Sequence, residues 1–213
     1  MPNKGAQEFW NGKYANEKNI WGEKPVKVIG ECEAVFRNYG VKNILVMAAG
    51  YGRNGKYFTE KGYRVDGIEI SDEAINIGKS FAPEINFIKG NVLDADTQKE
   101  YDAVFCFDIM QIFLKDERKT LVERCVKHCR PSGLVMLSCL SKADALFGKG
   151  REIEKDTFDG NNGLHFHYCD ENEMRNINAA LETVKLEHFR ESYEGGVTKD
   201  RIYGIYKNAS RKF

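Results

Sequence analysis

The segment Asn43–Gly55, NILVMAAGYGRNG, predicts a buried strand that runs into a glycine-rich turn. Its first part is a short continuous apolar run, which is typical of a strand buried on both faces of a parallel sheet. Gly50, Gly52 and Gly55 satisfy the pattern G-x-G-x-x-G, in which glycines allow a tight bend and let a ligand approach main-chain N–H groups at a helix N-terminus. The segment therefore predicts a strand–turn–helix unit with a ligand site at the carboxyl end of its strand.

An acidic residue follows this turn at the distance that ribose recognition requires. Glu69 lies near the end of the next predicted strand, Arg64–Ile70, and stands 19 residues after Gly50. In nucleotide-binding α/β folds such an acid accepts hydrogen bonds from ribose hydroxyls. The two features together predict a ribose-bearing ligand, either an NAD-type dinucleotide or S-adenosylmethionine. A tight turn that binds nothing is the alternative.

Strand and helix patterns alternate on both sides of the segment. Apolar residues at helical spacing follow Pro25, and Ser71 is placed as an N-cap with acidic residues behind it. This alternation predicts a parallel α/β sheet with helices on both faces, ending in an antiparallel strand pair. The predicted strands are seven, 43–48, 64–70, 85–88, 101–107, 134–140, 184–192 and 201–206, and the predicted helices include 25–39, 116–129 and 170–181.

The stretch 141–169 differs from the rest of the chain because it is polar, contains several glycines and has no clear period. An irregular stretch of that length in a compact domain is uncommon and often functional. No repeat, low-complexity segment or convincing linker interrupts the sequence. We therefore expect one domain over 1–213, with 141–169 as a loop insertion on the substrate side.

Composition narrows the class of protein. The 213 residues carry 32 Lys and Arg against 32 Asp and Glu, whereas a nucleic-acid or anionic-membrane binder normally has a basic face. Six cysteines without a C-x-x-C pair favour reduced, packed thiols over a secreted disulfide scaffold. The sequence has neither a signal-peptide core nor an apolar run of about 18 residues. We expect a cytoplasmic protein with no nucleic-acid or membrane partner.

Over nearly its whole length the chain resembles the class I S-adenosylmethionine-dependent methyltransferases. Their first motif usually reads apolar–apolar–acid–apolar–Gly–x–Gly–x–Gly, and Ile44–Gly52 follows it with two departures. The family's second-strand ending, adenine-framing segment, fourth-strand motif and Lys-Pro-Gly-Gly turn are similar to Gly67–Ser71, Gly90–Leu93, Tyr101–Asp108 and Arg130–Leu134. The resemblance implies a Rossmann-like fold and S-adenosylmethionine as the cofactor.

The resemblance also implies which residues contact the cofactor. Phe9–Tyr14 and Trp21–Pro25 resemble the opening of the thiopurine- and tellurite-type small-molecule methyltransferases. In those relatives this opening, here 1–24, folds over the cofactor as a lid. Aromatic residues that dock the first helix on the sheet are the other interpretation, and both can hold. The implied cofactor contacts are Tyr14, Trp21, Ala48, Gly50, Gly52, Asn54, Glu69, Ile70, Asn91, Val92, Phe107 and Gln111.

Two positions depart from the family pattern. Val46 stands where relatives usually have an acid that helps to hold the methionine ammonium, and Ala48 replaces the first glycine. A buried valine cannot accept a hydrogen bond, so the ammonium needs another acceptor. A backbone carbonyl near Ala48 or the carboxylate of Asp108 is expected to supply it.

Methyl transfer from a sulfonium needs mainly positioning and a dry pocket, so no metal site is predicted. A weakly nucleophilic acceptor needs a general base, and the candidates are Asp108, His165 and His167, with Gln111 as an orienting group. His165 and His167 alternate, so both face one side of an extended segment. The pair is a base, half of a metal site, or simply surface residues. His128 is predicted to be solvated.

The sequence thus predicts a methyltransferase that transfers a methyl group from S-adenosylmethionine to a small-molecule acceptor. An NAD-dependent oxidoreductase is the alternative from the glycine pattern, although the later motifs do not fit it. A non-catalytic module of the same fold is a third hypothesis, motivated by Val46 and Ala48. A nucleic-acid methyltransferase is disfavoured because there is no basic stripe. The acceptor atom and the oligomeric state are left open, since fold does not fix function.

Overall fold

The computed structural model describes residues 3–160, 163–192 and 197–209. The chain divides into two compact units, Met1–Phe105 and Cys106–Phe213. Each unit is described by itself, and the single domain 1–213 stays a prediction. Within the described ranges, no helix is both long and apolar enough to cross a membrane.

The first unit alternates helices with strands. Its elements are α1 (Asn3–Glu17), α2 (Ile29–Asn38), β1 (Asn43–Met47), α3 (Arg53–Glu60), β2 (Arg64–Glu69), α4 (Asp72–Phe81), β3 (Asn86–Lys89) and β4 (Tyr101–Cys106), which ends one residue into the second unit. The strand order is β3-β2-β1-β4. β1 and β2 run parallel with Val46 opposite Gly67, and β2 and β3 run parallel with Ile68 opposite Ile88.

β1 is buried as its continuous apolar sequence predicts. Ile44 and Leu45 have no exposed surface, although they point to opposite faces of the sheet. On one face Phe36 of α2 stacks on Phe58 of α3, with ring centroids 5.8 Å apart, and Phe58 meets the ring of Phe105 at 5.2 Å. Each such side chain contributes about 1.5–3 kcal/mol by its burial. This core fixes the carboxyl end of β1.

Helix starts agree with the sequence at α4 and differ at α2. Ser71 is the N-cap of α4, and its hydroxyl accepts the N–H of Ala74 at 3.1 Å. α2 begins at Ile29 rather than at Pro25. The N–H of Val26 is held by the side-chain oxygen of Asn54 at 3.1 Å, so the residues before Ile29 form a turn on α3 instead of a first helical turn.

The second unit is built on a long strand. Its elements are a 3₁₀ turn (Met110–Ile112), α5 (Lys115–His128), β5 (Cys129–Ser141), β6 (Glu152–Glu154), β7 (Thr157–Asp159), β8 (His165–Cys169), α6 (Glu171–Arg175), β9 (Leu181–Ser192) and β10 (Thr198–Asn208). β8 runs parallel to β5, with Leu140 opposite Tyr168. β10 runs antiparallel to β5 and β9. The predicted antiparallel pair is therefore present, and β10 pairs on both of its sides.

The interpretation of 141–169 as a loop is wrong in part. All seven predicted strands are present as β1–β5, β9 and β10, but this stretch adds β6, β7 and β8. β7 has three residues and β8 has five, so the alternation of His165 and His167 predicts an extended segment but not its pairing. Tertiary packing determines them, because Phe158 and Tyr168 bury their rings with Leu140 against Phe147 and Phe166.

Two further expectations are corrected near the ends of helices. α6 stops at Arg175 instead of continuing to 181, because the Asn178 side chain accepts the N–H of Ala180 in a turn that leads into β9. α6 does begin where the sequence predicts, because Asp170 caps it by accepting the N–H of Glu173 at 2.9 Å. His128 is 1% exposed rather than solvated, because α5 ends there and β5 begins at the next residue, covering the side chain.

Gly52 and Gly62 offer a matched test of the glycine turn. Both have positive φ, +90° and +86°, but an added Cβ at Gly52 would lie 2.8 Å from Ile85 and 2.9 Å from Ala82, whereas at Gly62 it meets nothing within 4 Å. Gly62→Ala should therefore cost about 1 kcal/mol of strain. Gly52→Ala should cost about 1–3 kcal/mol more, because it also overpacks the core.

Urea unfolding of both variants measures this difference. Equal losses of stability in the two variants would contradict the close approach of the turn to Ala82 and Ile85.

Candidate functional site

The turn after β1 has the backbone that its glycines predict. Ala48, Gly50 and Gly52 all have positive φ, at +52°, +58° and +90°. The N–H of Gly52 donates to the carbonyl of Ala49 at 3.0 Å, which closes the turn directly before α3. Of these three residues only Ala48 has a side chain. Because positive φ is unfavourable for a residue with a Cβ, this conformation costs about 1 kcal/mol or more. The turn is thus bent back at the carboxyl end of β1.

Glu69 joins this turn to the turn after β2. Its side chain is 4% exposed, and its two carboxylate oxygens accept the N–H of Gly50 at 2.7 Å and the N–H of Ser71 at 2.8 Å. Burial raises the pKa of Glu69, and the backbone donors offset only part of that rise. The N–H of Ile70 is a third backbone donor to it, and a carboxylate has about four lone-pair sites. The carboxylate can therefore accept further hydrogen bonds from a ligand.

Two aromatic residues, one in α1 and one in the segment after it, cover the glycine turn. Tyr14 is 5% exposed, and a methyl group added at Gly50 would meet its hydroxyl at 3.0 Å. The indole of Trp21 donates to the Tyr14 hydroxyl, and Arg53 donates to the Trp21 carbonyl at 2.7 Å. Trp21 itself is 45% exposed. The structure thus brings Tyr14 and Trp21 to the turn, while Trp10 and Tyr14 also pack with Ala74 of α4.

Of the remaining predicted residues of the first unit, Asn54 serves the fold, whereas Ile70, Asn91 and Val92 lie close to Glu69 in the chain or in space. Asn54 accepts the N–H of Val26, so its side-chain oxygen is occupied by the fold. Ile70 is half-buried at the end of β2, and Asn91 accepts the N–H of Leu93 at 3.0 Å. Val92 is 5% exposed. The N–H of Gly90 donates to the Glu69 carbonyl, which brings the segment containing Asn91 and Val92 beside Glu69.

Asp108 is engaged by an arginine that the sequence analysis missed. Arg201 of β10 donates to both carboxylate oxygens of Asp108, at 2.7 and 2.6 Å, and lies 3.8 Å from Glu191. The side chain of Arg201 is 5% exposed. Because the guanidinium of Arg201 already occupies both carboxylate oxygens, Asp108 is poorly placed to receive a substrate proton. The signal available in the sequence was a charged residue at the first position of the predicted strand 201–206.

Two predicted side chains in the second unit carry buried polar atoms that have no hydrogen-bond partner among the described residues. They are the Oε1 atom of Gln111 and the Nε2 atom of His165. Gln111 is 6% exposed, and burial lowers the pKa of His165. Nearby, Phe107 lies under the guanidinium of Arg201, with 5.6 Å between Cζ and the ring centroid. Orphaned buried polar atoms of this kind are unusual in a fold without a ligand.

His167 differs from His165 although both lie on β8. It is 1% exposed, and its ring nitrogens lie 2.9 Å from the Thr157 hydroxyl and 2.9 Å from the Glu173 carboxylate. Burial lowers its pKa, but hydrogen bonds to Cys169 and Glu173 outweigh burial and bring the pKa to about 9. At neutral pH it has no free nitrogen that could accept a substrate proton. His165 is the better general base of the two.

The sequence of the chain matches a known family over part of its length. Residues 44–133, from β1 into β5, match the family model described as a methyltransferase domain. The ubiquinone biosynthesis O-methyltransferase of Nitrosospira multiformis is 28% identical over 107 residues, which are 47% of this chain and 44% of that protein. The chain spans 39–59% of the length of the curated relatives it matches.

Solved structures match over more of the chain. The 1,6-didemethyltoxoflavin-N1-methyltransferase of Burkholderia thailandensis, solved with its substrate and S-adenosylhomocysteine, superposes with a TM-score of 0.73 at 17% identity and covers 99% of this chain and 91% of that one. TehB from Haemophilus influenzae gives a TM-score of 0.65 at 14% identity, covering 93% and 67%.

These likenesses confirm the fold and the resemblance inferred from the sequence. The chain has the Rossmann-like α/β fold of the class I methyltransferases, with a mostly parallel sheet and the antiparallel pair β9–β10 at its C-terminal end.

The buried ion pair of Arg201 predicts a large difference between two arginines of the same hairpin. Arg201→Gln leaves Asp108 and Glu191 without their cation and should lower stability by about 3–5 kcal/mol. Arg190, whose side chain is 68% exposed, pairs with Asp200. Arg190→Gln should therefore lower stability far less than Arg201→Gln, because solvent screens this ion pair.

Thermal unfolding at neutral pH compares the two variants. If Arg201→Gln does not fold, Arg201→Lys, which keeps the charge but loses the bidentate geometry, takes its place. The prediction is wrong if the Arg190 variant is the less stable of the pair.

Proposed function

We propose that the chain is an S-adenosylmethionine-dependent methyltransferase that acts on a small-molecule acceptor. The observation that carries this function is the Glu69 carboxylate, which is buried, joins the two turns at the carboxyl ends of β1 and β2, and retains lone pairs for ribose hydroxyls. The match of residues 44–133 to a methyltransferase domain supports the same function.

The residues present fit this cofactor. Glu69 would accept hydrogen bonds from the ribose, Asn91 and Val92 would border the adenine, and the bent backbone at Gly50 and Gly52 would receive the methionine portion. When bound, S-adenosylmethionine supplies the activated methyl group. The protein then needs only to bind and orient the two reactants and to exclude water from them. Tyr14 and Trp21, which already cover the glycine turn, support the lid function proposed for 1–24.

The methionine ammonium requires an acceptor other than the usual acid. Val46 is 4% exposed and has only an apolar side chain, and Asp108 is paired with Arg201. We assign the contact to backbone carbonyl oxygens of the turn that begins at Ala48. Its strained positive φ turns the peptide groups of this segment differently from those of a continuing strand.

Two groups are suited to the acceptor molecule. Gln111 offers an unpartnered Oε1 atom that would orient a donor group, and His165 offers an unpartnered Nε2 atom. Because burial lowers the pKa of His165, its ring is neutral at neutral pH and able to take a proton. These properties support His165 as the general base for an acceptor that must lose a proton.

A small-molecule acceptor is the class that the composition and the relatives support. The formal net charge is zero. The Nitrosospira relative is named for an O-methyl transfer and the Burkholderia structure for an N-methyl transfer, so the acceptor atom is not assigned. The cytoplasmic location and the absence of nucleic-acid and membrane partners are part of the proposal.

Calorimetric titration with S-adenosylmethionine and S-adenosylhomocysteine tests the function. Wild-type protein is expected to bind both. Glu69→Gln removes one charged acceptor and should weaken binding by about tenfold or more, since hydrogen bonds to charged groups contribute about 1.5–3 kcal/mol.

Glu33→Gln is the matched control. Glu33 is 7% exposed in the same unit, and it accepts a hydrogen bond from Tyr63 at 2.9 Å. Its variant should keep the wild-type affinity. If folded wild-type protein binds neither compound at millimolar concentration, the chain is a non-catalytic module of this fold. Binding of NADH in the same assay would favour the oxidoreductase.

A further inference from the structure

Three potential metal ligands meet where β8 leads into α6. The Nε2 atom of His167, the Sγ atom of Cys169 and a carboxylate oxygen of Glu173 all lie within 4.8 Å of one another. His167 and Cys169 are alternate residues of β8 and so face the same side of the strand. Asp170 caps α6 and thereby turns Glu173 back toward them. The cluster is a product of the local fold and lies wholly within the second unit.

The donor set has a definite chemical preference. An imidazole nitrogen, a thiolate and a carboxylate together are ligands of zinc, with bonds of about 2.0–2.3 Å. Tetrahedral ligands at such distances lie about 3.4 Å from one another. The Nε2 atom of His167 and the Oε1 atom of Glu173 are 2.9 Å apart. An outward shift of about half an ångström would therefore accommodate the ion.

A second residue orients the histidine. The Thr157 hydroxyl lies 2.9 Å from the Nδ1 atom of His167 and donates its own proton to the carbonyl of Lys155 at 3.4 Å. Since a hydroxyl has one proton, Thr157 accepts from Nδ1–H. This leaves Nε2 to face Cys169 and Glu173, and such a contact on the far nitrogen is the usual support of a metal-bound histidine.

Access to the cluster comes from one side. The side chain of Glu173 is 37% exposed, whereas that of His167 is 2% exposed and Cys169 is fully buried. Glu173 also lines a cleft of about 330 Å³, together with Asn172 and Asn176. A water molecule on this side can complete a coordination that three protein ligands leave open.

A hydrogen bond between His167 and Glu173 accounts for only two of the three groups. Cys169 is also within reach of both, and its thiol hydrogen-bonds to Cys139 behind it. α6 has only five residues, too few for a helix to be stable by itself. A bond from Glu173 to an ion held on β8 would anchor it.

We propose that His167, Cys169 and Glu173 bind one Zn²⁺ ion, with water as the fourth ligand, and that the ion fastens α6 to β8. This site is independent of the proposed methyl transfer, which requires none of the three residues.

Metal-free protein, prepared with a chelator under reducing conditions, is titrated with Zn²⁺ against a chromophoric chelator and with Co²⁺ by absorption. We expect one ion per chain, a rise in Tm of about 5 °C with Zn²⁺, and a thiolate-to-cobalt absorption band. Glu173→Gln should weaken Zn²⁺ binding at least tenfold. Glu171→Gln, an exposed acid of the same helix, should leave it unchanged.

Cysteine variants provide the second comparison. Cys169→Ala should remove the thiolate-to-cobalt band. Cys125→Ala is the control. It removes a buried thiol of α5 that is hydrogen-bonded to Cys106, and it should keep the band. The proposal is overturned if wild-type protein binds no Zn²⁺, or if Glu173→Gln and Glu171→Gln bind it equally. A cobalt spectrum without the thiolate band would overturn it as well.

Discussion

The first unit depends on one buried carboxylate. Glu69 supplies the acceptors for two main-chain N–H groups, at Gly50 and Ser71, that belong to different turns. Without it both donors would be buried with no partner, which costs about 1–3 kcal/mol each. The same carboxylate is only partly compensated, since burial outweighs its backbone donors and raises its pKa. A charge that the fold leaves under-satisfied is better explained by ligand binding than by stability alone.

Asp108, in the second unit, differs from Glu69 because a positively charged side chain pairs with it. Asp108 meets the guanidinium of Arg201 through two short hydrogen bonds, and the same guanidinium packs over the rings of Phe107 and Phe189. Here the charge is neutralised within the unit itself. The two acids therefore differ in their partners. Glu69 accepts hydrogen bonds from main-chain N–H groups, whereas both carboxylate oxygens of Asp108 are engaged by a guanidinium.

The sequence predicted the elements whose signals are local. β1 has a continuous apolar run, Ser71 is a capping residue and Glu69 stands at a fixed distance from the glycine turn. Each could be identified without knowing which distant residues it contacts. β7, β8 and Arg201 could not, because their positions depend on residues distant in sequence: Phe158 packs on Tyr168, and Arg201 finds Asp108 93 residues away. The same applies to His167, whose environment is set by Thr157 and Glu173. Alternation predicted which side it faces but not that the side is buried.

The position of β10 has a consequence for the order in which the units form. In the first unit Asn43 of β1 pairs with Arg64, 21 residues later, so its strands can meet soon after they are made. In the second unit Leu140 of β5 pairs with Arg201, 61 residues later, and β10 fills the place between β5 and β9. Loop closure over that distance slows folding. β5 and β9 are therefore joined only through β10, so the edges that these two strands present to β10 stay unpaired until the last strand of the chain is in place.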